Sequence, residues 1–185
     1  MPVEFQTFRN LMAGVCAPVT VVTTAHNEIP YGATVSAFAS LSLDPPMVTV
    51  ALDRRSQLLS HILQVGRFGV NVLARDQEDV AKRFAQREVE RFGSVSWHFD
   101  CGMPRLACAA SWLACDLENT VEGGDHILLL GLVEVAQRSD AAPLIYTDRT
   151  YGTHSVLFER EAAKTRKAEE LALLGQFSLV GGDYV

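Results

Sequence analysis

The sequence predicts a mainly β protein: an antiparallel barrel with a few flanking helices. Three observations predict it. Short β-branched or alternating runs recur along the chain, among them Val19-Thr20-Val21-Val22-Thr23-Thr24 and the spaced Val48, Val50 and Leu52. Turn signals separate them, as in His26-Asn27-Glu28, Asp44-Pro45-Pro46 and Gly123-Gly124-Asp125. Helical spacing of apolar residues is confined to a few short stretches, and there is no internal repeat or low-complexity segment. Many short strands with few helices fit a closed barrel.

Taken in order, Phe5, Phe8, Leu11, Met12 and Val15 fall at helical spacing and predict a short first helix with one face packed. Pro18 ends it, and the β-branched strand after it pairs through the turn at 26–28 with the next strand as a hairpin. Asp44-Pro45-Pro46 breaks that second strand before the run 47–52. Ser56 stands at an N-cap position ahead of Leu58, Leu59, Ile62 and Leu63, and Gly66 closes that helix. Residues 68–73 read as a strand, and Asp76 as the cap of a helix carrying Val80, Ala81 and Phe84. Residues 86–104 read as an irregular polar connection. Alternation returns over 107–121, followed by a turn and an apolar strand over 127–136, expected to be buried on both sides. A short strand follows at Leu144-Ile145-Tyr146, and charged helical sequence fills 156–174, with Gly175 as its cap and residues 176–185 as a tail. A chain of 185 residues suits one domain with a substantial core, here 1–155, followed by the helix and tail at 156–185.

Residues 29–46 are the most informative stretch. Ala33, Val35, Ala37, Ala39, Leu41 and Leu43 alternate with Gly32, Thr34, Ser36, Phe38, Ser40 and Ser42, so an extended chain has one apolar face and one lined with small hydroxyls. A polar strand face turned to water normally carries Lys, Glu or Arg, yet no charge appears between Glu28 and Asp44. Small hydroxyls and glycine let a flat ligand approach the backbone and offer it hydrogen bonds, which points to a binding floor. The capped helix at Ser56, with Arg54 and Arg55 beside it, offers an anion site, and Lys82 and Arg83 beside Phe84 are a second source of positive charge. His126 stands at the mouth of the most apolar strand.

Composition excludes several classes. A net charge of -6 argues against a nucleic-acid partner, which would want a basic face. The longest apolar run, at 127–133, is far below the ~20 residues of a membrane-spanning helix, and Met1-Pro2-Val3-Glu4-Phe5 has no signal-peptide character, so a cytoplasmic location is expected. Cys16, Cys101, Cys108 and Cys115 show no metal spacing and are expected to be reduced, buried small residues. No metal site is expected. A Gly-x-Ser-x-Gly elbow, a P-loop and a Gly-x-Gly-x-x-Gly after a strand are all missing, which leaves hydrolase, NTPase and Rossmann readings without a motif. A hydroxyl-rich floor followed by a helix-capped anion site suits a flavin nucleotide.

Several motifs in series carry a family resemblance: Phe8-Arg9-Asn10-Leu11-Met12, Gly32-Ala33-Thr34-Val35-Ser36-Ala37-Phe38, Ser42-Leu43-Asp44-Pro45-Pro46, Phe68-Gly69-Val70-Asn71-Val72-Leu73, Arg83-Phe84, Gly124-Asp125-His126 and Pro143-Leu144-Ile145-Tyr146. With them, residues 5–155 resemble the flavin reductase-like family, most closely the short-chain reductase components of two-component flavin-dependent monooxygenases. The resemblance implies a split β-barrel homodimer that reduces FMN or FAD with NADH or NADPH and passes it to a partner monooxygenase. It implies isoalloxazine contacts at Pro30, Tyr31, Gly32, Ala33, Thr34, Ser36 and Ala37. Ribityl and phosphate contacts fall on Ala51, Leu52, Asp53, Ser56, Gln57, Leu58, Arg83 and Phe84. On the nicotinamide side stand His126, as the catalytic position, and Asp148, Arg149, Thr150 and Tyr151. The chain departs from the family pattern at Leu58, where many relatives carry Thr, and across residues 147–151. A non-enzymatic flavin carrier on the same barrel is the alternative class.

Overall fold

The computed structural model describes residues 3–86, 90–154 and 166–167. Met1–Thr153 form one compact unit. Of the second unit, His154–Val185, the expected helix over 156–174 and the tail lie outside the described residues, except that Arg166 and Lys167 are helical and exposed.

The main sheet has seven strands in the order β3-β2-β6-β9-β10-β5-β4. Their ranges are β2 Thr20–His26, β3 Ile29–Val35, β4 Phe38–Leu43, β5 Pro46–Asp53, β6 Arg67–Val72, β9 Ser111–Gly123 and β10 His126–Arg138. All six pairings are antiparallel. β3 and β4 sit at opposite ends of this sheet, yet only Ser36 and Ala37 separate them in the chain. Laid flat, seven strands would put the end strands about 29 Å apart, whereas the link from Val35 to Phe38 spans at most about 11 Å. The sheet must therefore roll until its edges meet. The edges meet without a hydrogen-bonded ladder between β3 and β4, so the barrel is split at this seam; the backbone bond from Ala51 N to Ala37 O, 3.0 Å, braces it. Residues 29–46 are thus two strands hinged at 36–37 rather than one continuous floor. On β4 the expected inward apolar face is turned out: Leu43 is 91% exposed and Leu41 48%.

The core inside the roll is aliphatic with one aromatic, and includes Val22, Val35, Val50, Leu58, Ile62 and Phe68. Helix α2, Gln57–Val65, buries Leu58, Leu59 and Ile62 there, as its apolar spacing predicts. Ser56 caps it by accepting from Leu59 N at 3.4 Å, and Gly66 ends it in the left-handed conformation at φ 74°. Helix α3, Glu78–Ala85, buries Ala81 and Phe84 in a second cluster. Its cap is Gln77 rather than the expected Asp76, and the Gln77 side chain instead bridges Ala74 N and Ala107 O. Asn27 and Glu28, both at positive φ, form the β2–β3 turn that the sequence predicts.

Other expectations are corrected. The connection at 86–104 contains part of a hairpin, β7 Trp97–Asp100 with β8 Met103–Leu106. β10 is only partly buried along its apolar half, with Leu129 and Gly131 its fully buried residues. Helix α1, Phe5–Ala13, forms where expected but buries none of its residues, leaving Phe5 74% exposed. The four cysteines are all unpaired, as expected, but only Cys115 is buried; Cys101 and Cys108 occupy positive-φ positions outside the strands, where little can cover them. Burial pushes the Cys115 thiol up to about 12. A third small sheet joins β1 Ala17–Pro18, β11 Ile145–Thr147 and β12 Thr150–Gly152.

Candidate active site

A cavity of about 630 Å³ opens where the barrel seam meets the starts of α2 and the end of α3. That size suits a nucleotide-sized ligand. Its floor is the end of β3. Ala33 and Thr34 line it, followed by Val35, Ser36 and Ala37 at the hinge. Ser36 and Ala37 lie between the two ladders, beyond the last β3 register pair at Val35. Thr34 does not present a spare hydroxyl, because its Oγ1 donates to Ala81 O of α3 at 2.6 Å. This bond fixes the floor to the helix that carries Phe84. Gly32 lies just beneath: a Cβ there would come within 2.9 Å of the Phe84 ring and 3.2 Å of Phe92. Only glycine lets the strand pass this close to both rings.

The second wall runs from Ala51, Leu52 and Asp53 at the end of β5 into Ser56, Gln57 and Leu58 at the start of α2. Here the chain turns sharply, with Ser56 N donating to Asp53 O at 2.9 Å. Unbonded N–H groups at a helix start favour an anion. Arg55 lines the cavity beside them, but Asp53 answers its charge: Nη2 donates to Oδ2 at 2.8 Å, and Arg55 N donates to Oδ1 at 2.8 Å. Those bonds hold the Asp53 carboxyl well below the usual carboxylate range.

Arg54 points elsewhere, and its role is mechanical. Its backbone N–H donates to Asp125 O at 3.0 Å and its Nε to Gly124 O at 2.9 Å, so the entry to α2 holds the β9–β10 turn. That turn sets His126, which faces Asp53 in the β10–β5 register and lines the cavity mouth. Its Nδ1 pairs with Asp125 Oδ1 at 2.8 Å, leaving Nε2 for a ligand. The imidazole, 45% exposed, stays reachable from solvent.

Of the residues singled out from the sequence, the cavity wall contains Ala33, Thr34, Ser36 and Ala37, then Ala51, Leu52, Asp53, Ser56, Gln57 and Leu58, and finally Phe84 and His126. Pro30, Tyr31 and Gly32 support the floor without lining it; Tyr31 stacks on His61 at 3.6 Å. Arg83 also stands outside the wall, with Nη1 3.5 Å from Glu90 O. Asp148, Arg149, Thr150 and Tyr151 lie on the β11–β12 hairpin, where Asp148 N donates to Ala13 O and Arg149 Nη2 to Asn10 Oδ1 at 2.9 Å. They are not brought to this cavity. Val35, Arg55, Ala85 and Arg91 line it in addition. Arg91 precedes Phe92 in a stretch read as a polar connection, and nothing in its spacing marked it.

A model of the flavin reductase-like domain matches residues 12–155. The chain belongs to the flavin reductase-like family. It is 35% identical over 168 residues to the reductase component of a 4-nitrophenol 4-monooxygenase/4-nitrocatechol 2-monooxygenase from Rhodococcus opacus, covering 91% of this chain and 90% of that one. Among solved structures it resembles the flavin reductase PheA2, with a TM-score of 0.78 and 31% identity over 82% of this chain and 99% of that one. It also resembles the NADH:FAD oxidoreductase SgcE6 of Streptomyces globisporus C-1027, solved with NAD and FAD fragments, at a TM-score of 0.78 and 29% identity over 83% and 96% of the two chains. The split barrel is the fold of this flavin reductase, and the chain is an oxidoreductase acting on flavin with a nicotinamide. No helix among the described residues is long and apolar enough to cross a membrane.

Proposed function

We propose that this protein is the reductase component of a two-component monooxygenase: it reduces free FMN or FAD with NADH or NADPH and releases the reduced flavin to a partner oxygenase. The observation that carries the reading is one open cavity joining an uncharged floor, a helix-start anion site and a reachable histidine. The residues fit a flavin. Ala33, Thr34, Ser36 and Ala37 would carry the ring, with backbone amides at the hinge directed to its polar edge, and the α2 start would carry the phosphate end.

A flavin held there would supply the hydride acceptor for a reduced nicotinamide, a transfer that needs the reacting atoms brought to about 3–3.5 Å. The chain's part is to position, since that transfer leaves no proton for a base to take. His126, held by Asp125 and by the Arg54 clamp on its turn, would orient the nicotinamide at the mouth. The nicotinamide role of Asp148, Arg149, Thr150 and Tyr151 rests on the family resemblance alone.

The reading includes a homodimer in the cytoplasm. α1 buries nothing, and its Phe5, Phe8, Leu11 and Met12 stay exposed together with Val15, an apolar stripe that a second protomer would cover. Titrating each flavin into the purified protein, then adding NADH or NADPH, tests the whole assignment. Oxidation of the nicotinamide in proportion to free flavin added supports it, and no flavin binding would remove it.

A further inference from the structure

One cation in the cavity wall has no role in the reading so far. Arg91 lines the cavity, and its side chain is partly buried. Nη1 donates to Gly32 O at 2.5 Å, while Nε and Nη2 both donate to Gln86 O, at 3.2 and 2.5 Å. These acceptors are backbone carbonyls, so they fix the side chain without neutralising it. These bonds use three of the five guanidinium N–H groups and, among the described residues, leave two. Among the described residues no carboxylate forms an ion pair with Arg91. Its neighbours differ. Asp53 answers Arg55, Glu122 answers Arg54, and Arg83 stands outside the wall. Burial also pulls the Arg91 guanidinium below its usual range.

A fixed guanidinium that, among the described residues, has no carboxylate partner and keeps two donors at the wall of a cavity matches a phosphoryl group, which accepts charge-assisted bonds and supplies negative charge. We propose that Arg91, rather than Arg83, is the side chain that pairs with the phosphoryl group of the flavin nucleotide and sets the preference for phosphorylated flavins over riboflavin. This rests on the flavin reading of the cavity. Arg91 also joins Gly32, under the floor, to Gln86, just past α3, so the residue that reads the phosphate holds the ring platform as well.

The test is fluorescence titration of riboflavin, FMN and FAD, without nicotinamide, into the wild type and the Arg91→Gln, Arg91→Lys and Arg83→Gln variants, each checked by thermal melting. The wild type is expected to bind FMN tighter than riboflavin by about tenfold or more, the scale of a hydrogen-bonded charge pair, and added salt shrinks that ratio. In Arg91→Gln the ratio falls to near one, because FMN and FAD lose the charged pairing that riboflavin never had and so weaken more than riboflavin does. Arg91→Lys keeps part of the preference and of its salt dependence, and decides the matter if Arg91→Gln does not fold. The larger loss of preference belongs to Arg91→Gln, not Arg83→Gln. The proposal is overturned if Arg83→Gln suffers the larger loss, or if Arg91→Gln weakens riboflavin as much as FMN, which is a purely structural clasp. It is also overturned if Arg91→Gln spares every flavin and raises only the KM for NADH, which would assign the charge to the nicotinamide phosphates. A wild type that binds flavins but does not discriminate riboflavin from FMN overturns the proposal and leaves the flavin reading standing. A wild type that binds no flavin overturns both.

Discussion

Two residues show how differently a polar side chain can serve this fold. Asn71 is fully buried in β6; its Oδ1 accepts from Leu106 N at 2.7 Å and its Nδ2 donates to Val21 O at 3.1 Å, tying β8 to the main sheet. Asn71→Ala leaves Leu106 N buried without its acceptor and removes the side-chain bond to Val21 O, so we expect a loss of about 1–3 kcal/mol in denaturant unfolding. His126 instead sits at the cavity mouth with its side chain 45% exposed. His126→Ala is expected to slow flavin reduction or raise the KM for NADH in stopped-flow while the melting temperature stays near wild type. A lowered Tm with normal kinetics would return it to a turn residue. Most of the cavity wall was legible because it falls in two short runs: the uncharged, hydroxyl-bearing 33–37, and 51–58, which leads into the helix capped at Ser56. Arg91 was not, since its place depends on the Gly32 and Gln86 carbonyls, which spacing does not reveal.

At the scale of elements, α2 couples the site to an imidazole pair. His61 on α2 stacks on Tyr31 of β3, and its Nδ1 lies 3.4 Å from Nδ1 of His26 at the end of β2. Burial, with His26 adding to it, holds His61 below the usual imidazole range. The unfolded chain then binds the extra proton first, so stability is full above about pH 6.5 and falls as pH drops below it toward the folded value. We expect a lower Tm at ~pH 5.5 than at ~pH 7.5, and a smaller drop in His61→Gln. α1 makes the contrasting case. Its helical spacing was readable, but its burial was not, because periodicity identifies an apolar face without saying which chain covers it. On the homodimer proposed above, Phe8→Glu is expected to lower the mass seen by light scattering toward the monomer while leaving the protomer's fold intact; a wild type of monomer mass removes that proposal.

The whole molecule was legible where strands are short and bounded by turns, and less so where the chain must bend. Residues 29–46 alternate without interruption, so nothing in them marks the hinge at Ser36 and Ala37. The hinge follows from topology: two consecutive strands at opposite ends of one sheet force the roll and open the seam. That seam is also where the cavity lies, so the feature that closes the barrel forms the floor on which the proposed flavin ring would rest. A flavin carrier would use the same platform but keep its ligand. The direct test is therefore steady-state oxidation of NADH by protein freed of flavin, with FMN or FAD added in increasing excess, and with the reduced flavin trapped by a second acceptor. The account predicts no oxidation without added flavin, many turnovers per protomer with it, and saturation in free flavin. Turnover limited to one tightly held flavin per protomer, unaffected by free flavin, would contradict it.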